Sequence, residues 1–279
     1  MQEQSRAPAP RADSGSDDML LLERPLPGVV VLTMNRPASR NSLSLAMIDR
    51  LHDSLAELAG DKTVSAIVLA ANGPVFSAGH DLKELTAHRA DSDRGLAFYN
   101  TALTRCSALM QAIVACPKPV IAAVQGTATA AGCQLVAACD LAVAADTAKF
   151  ATPGVNIGLF CSTPMVALSR NVPRKRAMEM LLLGEMLSAA DAATYGLINR
   201  AVPADKVRAG ALAFAAKIAE KSPLTVSIGK AAFYTQAEMR LAEAYAYASK
   251  VMVDNMMARD AEEGISAFLE KRTPEWKGS

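Results

Sequence analysis

Histidine is scarce in this chain of 279 residues: His52, His80 and His88 are all there are. Together with the absence of HExxH and of any zinc-ligand cysteine spacing, this leaves little from which to build a zinc site, and no metal is expected. The five cysteines (Cys106, Cys116, Cys133, Cys139, Cys161) are odd in number and form no CxxC pair. They read as reduced thiols, not as a disulfide framework. GxSxG, the P-loop pattern and GxGxxG are missing too, which argues against a serine hydrolase, an NTPase and a Rossmann dehydrogenase. No apolar run is long enough to span a bilayer, because Arg, Lys or Asp interrupts each candidate. Charge of one sign is also lacking. With 29 Lys and Arg against 28 Asp and Glu the formal net charge is +1, so neither a nucleic-acid nor a membrane partner is expected.

What is present is apolar and mixed. Hydrophobic residues make up 51% and charged residues 20% of the chain, a composition that folds. Residues 1–18 are the exception: rich in Ala, Pro, Ser and mixed charge, they read as a disordered tail. Glu3, Asp13, Asp17 and Asp18 speak against an acid-poor mitochondrial presequence, and the expected location is cytoplasmic.

Beyond the tail, β-branched and apolar runs alternate with helical periodicity. Val29-Val30-Val31-Leu32-Thr33-Met34 reads as the first strand of the core. Ser44 is placed to cap a helix whose face carries Leu45, Ile48, Leu51, Leu55 and Leu58. Further strands are expected at 65–70, 120–124 and 141–144, with helices at about 95–115 and 131–138. This alternation predicts an α/β fold with a mainly parallel sheet and crossover helices. After about Asn171 only helical periodicity is visible. The chain is therefore divided into a tail (1–18), a core (19–200) and a helical C-terminal region (201–279). Met252, Met256 and Met257 are expected to pack on the core or on another subunit, as core filler and not as a cofactor box.

Two loops of small residues each follow a strand and open a helix: Phe76-Ser77-Ala78-Gly79-His80-Asp81-Leu82-Lys83 and Gly126-Thr127-Ala128-Thr129-Ala130-Ala131-Gly132-Cys133-Gln134. Small side chains let a ligand approach backbone N–H groups, and a helix N-terminus favours negative charge. Facing each other, such loops would form a two-donor oxyanion hole. Close helix-on-sheet packing explains the same residues, and composition alone leaves both readings open.

Particular wording goes further. Phe76 to Leu82 resembles the signature F-x-A-G-x-D-[LI] of the crotonase (enoyl-CoA hydratase/isomerase) superfamily. Lys118-Pro119-Val120-Ile121-Ala122-Ala123-Val124-Gln125-Gly126 resembles its K-P-V-I-A-A-V-x-G strand. Ala131-Gly132-Cys133-Gln134-Leu135 followed by Cys139-Asp140-Leu141 resembles its G-G-G-x-E-L…C-D block. Leu187-Ser188-Ala189, Gly196-Leu197-Ile198-Asn199, Glu263-Gly264-Ile265 and Phe268-Leu269-Glu270-Lys271-Arg272 resemble its later blocks. The wording of residues 77–85, 130–137 and 150–156 is close to one subgroup of that superfamily.

The resemblance implies a crotonase-like ββα spiral core with a helical C-terminal trimerisation region, assembled as a homotrimer or homohexamer. It implies an acyl-CoA partner, with a coenzyme A thioester as substrate or ligand and no other cofactor. The oxyanion amides would be those of His80 and Ala131. Arg40, Ala78, Gly79, Asp81 and Lys271 would bind substrate, Lys271 in its own or a neighbouring subunit. The family's two catalytic glutamates fall on Gln134 and Gly154. An amide has no useful basic lone pair and glycine has no side chain, so neither does acid–base work. Hydratase activity is therefore in doubt, and the expectation lies among a crotonase-type lyase or isomerase, a non-catalytic acyl-CoA-binding or regulatory protein, and a thioesterase or decarboxylase. Asp140 reads as a buried turn partner, Cys133 as a packing residue and Glu84 as a solvated first-turn acid. The His80 imidazole is read as facing coenzyme A or capping the helix after it, and Cys161 as a nucleophile only if a base stands beside it.

Overall fold

The structure, a computed structural model, describes residues 19–279. The tail expected at 1–18 lies outside the described residues. A hairpin opens the fold: β1 (Leu20–Leu26) pairs antiparallel with β2 (Val29–Met34) around Gly28, whose φ of 72° suits the turn. Every residue of β2 is buried. Helix α1 (Leu45–Gly60) starts at Ser44, whose hydroxyl accepts the Met47 N–H, and it buries Met47, Ile48, Leu51, Leu55 and Leu58.

Three ββα units follow. The first is β3 (Ala66–Ala71), β4 (Val75–Ser77), a short α2 (Leu82–Ala87) and the long α3 (Leu96–Ala115). The second is β5 (Val120–Val124), β6 (Thr127–Thr129) and α4 (Ala131–Ala138). The third is β7 (Leu141–Ala145), β8 (Lys149–Ala151), α5 (Pro164–Asn171) and α6 (Arg174–Leu183). The first strand of each unit enters a six-stranded sheet and the second enters a smaller sheet beside it. Then come β9 (Leu187–Ser188), α7 (Ala189–Thr194), β10 (Arg200–Val202) and α8 (Val207–Ala219). The chain ends in α9 (Pro223–Ala237), α10 (Leu241–Met256) and α11 (Arg259–Glu270).

The large sheet runs β1-β2-β3-β5-β7-β10 and is parallel from β2 onward. Its inner strands β2, β3, β5 and β7 are buried on both faces, which is why they read as unbroken apolar runs and not as alternating ones. On one face Leu51 and Leu55 of α1 and Leu109 and Ile113 of α3 meet Leu32, Ile67 and Leu69, with a void of only about 10 Å³ between them. Helix α8 packs on the sheet from the opposite side, where a Cβ on Gly210 would lie 3.1 Å from Val143 Cγ1. The strands β9 and β10 correct the expectation that nothing but helix follows Asn171. At two and three residues they are too short to show a period.

The last helices attach through polar contacts. Lys230 Nζ of α9 donates to Asp140 Oδ2 (2.6 Å) and to the carbonyls of Ile113 (2.9 Å) and Lys118 (3.2 Å). Tyr234 donates its hydroxyl to Asp140 Oδ1 at 2.9 Å, and the Val120 N–H donates to Oδ2 at 2.7 Å. Asp140 is thus the turn partner its sequence context suggests, half-buried and not fully enclosed. Asp260 at the start of α11 accepts from Ser222 and from the Lys277 and Gly278 amides. By contrast, α9 and α10 bury no residue within the chain. Met252, Met256 and Met257 are exposed, Met257 to 83%, so they do not pack on their own core. Among the described residues no helix is long and apolar enough to cross a membrane.

Candidate active site

The smaller sheet positions the candidate site. Its order is β4-β6-β8-β9, and β4, β6 and β8 are mutually parallel. Neighbouring strands lie about 4.8 Å apart, so the residues leaving their C-terminal ends come out side by side. Those residues are Ala78-Gly79-His80 after β4, Ala130-Ala131 after β6 and Thr152-Pro153-Gly154 after β8. Crevices at the carboxyl ends of parallel strands are where ligands bind in open α/β sheets. What the sequence presents as two loops is partly this sheet: Val75–Ser77 and Thr127–Thr129 are strands.

The two small-residue segments face each other. A Cβ on Gly79 would lie 2.9 Å from Ala130 Cβ, 3.0 Å from the Thr129 carbonyl oxygen and 3.1 Å from the Ala131 nitrogen. Gly79 has φ 87°, so both the conformation and the space require glycine. A Cβ on Gly132 would lie 2.3 Å from the Ser77 carbonyl oxygen, so α4 lies directly against β4. Ala130, at φ 50° and ψ −120°, holds a backbone that L-residues avoid. Its N–H donates to Ala151 and its carbonyl accepts from Gln134, which pins the turn that presents the Ala131 N–H. On the other loop, Gly79 and Asp81 flank His80 in a bridge to Leu43 that uses the Gly79 carbonyl and the Asp81 N–H. The His80 N–H is left out of that bridge. Among the described residues neither the His80 nor the Ala131 amide donates to a protein acceptor.

A groove of about 1050 Å³ leads up to His80. Of the expected substrate residues, Arg40, Ala78 and Asp81 line it. Sequence reasoning missed Arg36 and Lys83, two further cations on its wall. It also missed Asn41, wholly buried at φ 48°, whose carboxamide accepts from Arg36 N and donates to Asn72 O and Val75 O. Asn41 therefore fixes the wall between Arg36 and Arg40; the signal available was that asparagine tolerates the left-handed region. Gly79 sits against Ala131 and not on the groove wall. Lys271 is the exposed C-cap of α11 and does not line the groove of its own chain.

Side chains near the amides are neutral or engaged. Burial pushes the His80 pKa down, partly opposed by the Leu43 backbone, so its imidazole is uncharged at neutral pH. Its Nε2 is enclosed without a partner. It does not cap α2: the Asp81 carboxylate does, accepting from the Lys83 and Glu84 amides and from Ser42. Burial alone would raise the Asp81 pKa, but these hydrogen bonds hold it below the usual range. Glu84 is not simply solvated, since its Oε2 accepts the Leu45 N–H at 3.0 Å. All five cysteines are buried and free. Burial raises each thiol pKa, to about 12 for Cys133, and raises that of Cys161 too, so neither is a thiolate nucleophile at neutral pH. Among the described residues no three His, Cys, Asp or Glu gather as a metal site requires.

At the two expected glutamate positions the structure is specific. Gln134 is buried at 4% exposure and its Oε1 has no partner. Gly154 opens a 3₁₀ turn (Pro153–Ile157), where a Cβ would lie 2.6 Å from the Leu159 carbonyl oxygen and 2.9 Å from Cys161 Sγ. Its φ is not left-handed; glycine is needed there for space.

Comparison with known proteins agrees with this geometry. Residues 26–279 match the family described as Enoyl-CoA hydratase/isomerase. The chain is 47% identical over 272 residues to the human mitochondrial enoyl-CoA hydratase domain-containing protein 3, covering 98% of this chain and 88% of that one. That is the subgroup whose wording residues 77–85, 130–137 and 150–156 share. It is 36% identical over 251 residues to the 2,3-dehydroadipyl-CoA hydratase of Escherichia coli K12, covering 90% and 95% of the two chains. Among solved structures, an enoyl-CoA hydratase from Mycobacterium smegmatis superposes with TM-score 0.88 at 53% identity, over 92% of this chain and 98% of that one. The human domain-containing protein 3 also gives 0.88, at 48% identity, over 92% and 100%. By sequence across nearly all its described length and by its ββα architecture, this chain belongs to the enoyl-CoA hydratase/isomerase family and has the crotonase fold.

Proposed function

We propose that the protein binds coenzyme A thioesters and stabilises an enolate on the His80 and Ala131 amides, without turning over as a standard hydratase. The observation that carries this is a pair of uncommitted backbone amides on facing loops, beside positions 134 and 154 that hold no acid or base. Arg36, Arg40 and Lys83 supply positive charge for the phosphates of coenzyme A along the groove, and the acyl thioester reaches past His80. Each oxyanion donor is worth about 10²–10³ in rate when charge develops on the thioester oxygen. The absent acid–base pair removes about 10²–10⁴ per group. No further cofactor is part of this reading. It includes a homotrimer or homohexamer, supported by Met252, Val253 and Met256 of α10, its C-cap Met257 and Phe268 of α11, all largely exposed. A cytoplasmic location, argued from the acidic residues of the N-terminal segment, is also included, and a fluorescent fusion in the source cell tests it.

The same emptied positions favour a second reading, a binding or regulatory protein that uses thioesters as ligands only. A crystal structure with butyryl-CoA tests both. The expected result is a thioester oxygen within hydrogen-bond distance of both amides; a carbonyl lying away from them would overturn the enolate reading. Light scattering that gives a monomer at micromolar concentration would overturn the oligomer.

A further inference from the structure

The two amides of the proposed oxyanion hole sit on separate loops, and both must aim at one oxygen. The backbone ladder between β4 and β6 ends at Ser77 and Ala128, short of either amide. Beyond it, among the described residues, no backbone hydrogen bond joins residues 78–80 to residues 129–131. The bond that does cross comes from a side chain. Thr129, the last residue of β6, donates its hydroxyl to the Ala78 carbonyl at 3.2 Å.

That carbonyl belongs to the peptide entering Gly79. Glycine has no Cβ to restrain φ and ψ, so the direction of the His80 N–H, one peptide further on, depends on what holds the peptides on either side of Gly79. The peptide after it is held at the Gly79 carbonyl, which accepts the Leu43 N–H at 2.8 Å. The peptide before it is held at both ends. Its N–H donates to Ser77 Oγ at 3.3 Å, and the wholly buried Ser77 hydroxyl donates in turn to the Asn41 carbonyl at 2.9 Å. Its carbonyl is the one that Thr129 holds. On the far side Thr129 leads into Ala130, whose N–H and carbonyl are pinned to Ala151 and Gln134. Leu43, Ser77 and Asn41 therefore fix the first loop to its own side of the site, and the Thr129 hydroxyl fixes it to the loop that presents Ala131. Resting on the thioester-binding reading above, we propose that Thr129 is a positioning residue: its hydroxyl holds the Ala78 carbonyl so that the His80 N–H converges with the Ala131 N–H on one thioester oxygen. Such convergence matters because a misplacement of about 1 Å costs about 10²-fold in rate, and an oxyanion donor counts only when it reaches the oxygen.

The test uses the full-length protein with butyryl-CoA labelled with carbon-13 at its thioester carbonyl, and isotope-edited infrared spectroscopy, which reads how strongly hydrogen bonds pull on that carbonyl. Thr129→Val removes the hydroxyl and keeps the β-branched shape that suits a strand. Thr129→Ser keeps the hydroxyl, and Thr129→Ala lacks it in a smaller side chain, so it carries the comparison if the valine variant does not fold. In the unmodified protein the carbonyl band should lie below that of free butyryl-CoA. Thr129→Val and Thr129→Ala should lose about half of that shift, because one of two donors leaves the line, and Thr129→Ser should keep it. By calorimetry, Thr129→Val should raise the Kd of butyryl-CoA by about 2- to 10-fold, the worth of one hydrogen bond, and leave the Kd of coenzyme A unchanged. An undiminished shift without the hydroxyl, or a serine variant that behaves as the valine one, would overturn the role. So would an equal rise in Kd for coenzyme A and butyryl-CoA, which a general loosening of the fold produces. If butyryl-CoA does not bind the unmodified protein, or binds with no shift, the thioester reading itself falls and the positioning role falls with it.

Discussion

Placing glutamates at positions 134 and 154 is the perturbation that tests the proposal of a hydratase-like site without its acid–base pair. The two positions are not equivalent. Gln134→Glu changes one atom of a side chain that already has its place, and burial without a cation would raise the new carboxyl's pKa. Position 154 has no such place. A Cβ there would lie 2.6 Å from the Leu159 carbonyl oxygen, which is backbone and cannot rotate aside, and 2.9 Å from Cys161 Sγ. Forcing one carbon into so tight a site costs about 1–3 kcal/mol. For a chain of this size that corresponds to a Tm loss of roughly 2–10 °C for Gly154→Ala, measured by scanning calorimetry. Adding Cys161→Ala removes the sulfur but not the carbonyl, so it should restore only part of the loss, and the cycle of four proteins isolates that coupling. In activity, Gln134→Glu should raise hydration of crotonyl-CoA toward the roughly 10²-fold that one placed group supplies. Adding Gly154→Glu should contribute less than about 10-fold more, because the side chain cannot enter without moving the Leu159 backbone. A Gly154→Ala variant within about 1 °C of the unmodified protein would refute the packing argument. Brisk hydration by the unmodified protein would refute the claim that Gln134 and Gly154 are decisive losses.

Three further outcomes follow from the same contacts. Asp140→Ala leaves the Lys230 ammonium enclosed without its counter-charge, held only by the Ile113 and Lys118 carbonyls, and should cost about 3–5 kcal/mol, a Tm drop on the order of 10 °C by calorimetry, whereas Tyr234→Phe removes one hydrogen bond to the same carboxylate and should cost less. Ala130→Gly relieves a strained turn at φ 50°; since strain there is worth about 1–3 kcal/mol and glycine returns about 0.5–1 kcal/mol of unfolded-state entropy, Tm should rise by a few degrees, and a fall would contradict the strain. The Arg272 hydrogen bonds and the Glu275 N–H hold the Glu263 pKa down at about 2. A depressed carboxylate contributes stability above its unfolded pKa and loses it as pH falls through the folded one, so thermal melts of Glu263→Gln and the unmodified protein should differ at pH 7 and converge between about pH 4.5 and pH 2, whereas a gap that stays constant in acid would overturn the assignment.

The inner part of the large sheet was legible because β2, β3, β5 and β7 are buried on both faces and announce themselves as apolar runs, and all four stand where those runs are. Helices α3 and α4 begin and end close to their periodic segments, and Ser44 caps α1 through the hydroxyl chemistry that its position suggests. The smaller sheet was not legible. Val75–Ser77, Thr127–Thr129 and Lys149–Ala151 are three residues each, shorter than one alternation pattern needs. Their hydrogen-bonding partners lie tens of residues away, and nothing local in Thr-Ala-Thr distinguishes a strand from a turn. The edge strand β1 was hidden for another reason. Glu23, Arg24 and Pro25 interrupt its apolar residues, as suits an edge whose far side is solvent.

The site divides along the same line between side chain and backbone. The reading of Gln134 and Gly154 came from letters, because the resemblance expects a glutamate side chain at each position and the sequence shows another residue there. The proposed oxyanion hole is two N–H groups, which every residue but proline owns, so His80 and Ala131 carry no letter of their own. What the sequence does show is the shape those amides require: Gly79, where a Cβ would strike the opposite loop, and Gly132, where it would strike Ser77. The group that faces Gly154 is hidden for the same reason. It is the Leu159 carbonyl, placed by the fold of the Pro153–Ile157 turn, and any residue at 159 could have supplied it. A side chain that a resemblance expects and a sequence lacks is thus readable in one sequence, while the backbone that occupies the space beside it is readable only in the fold.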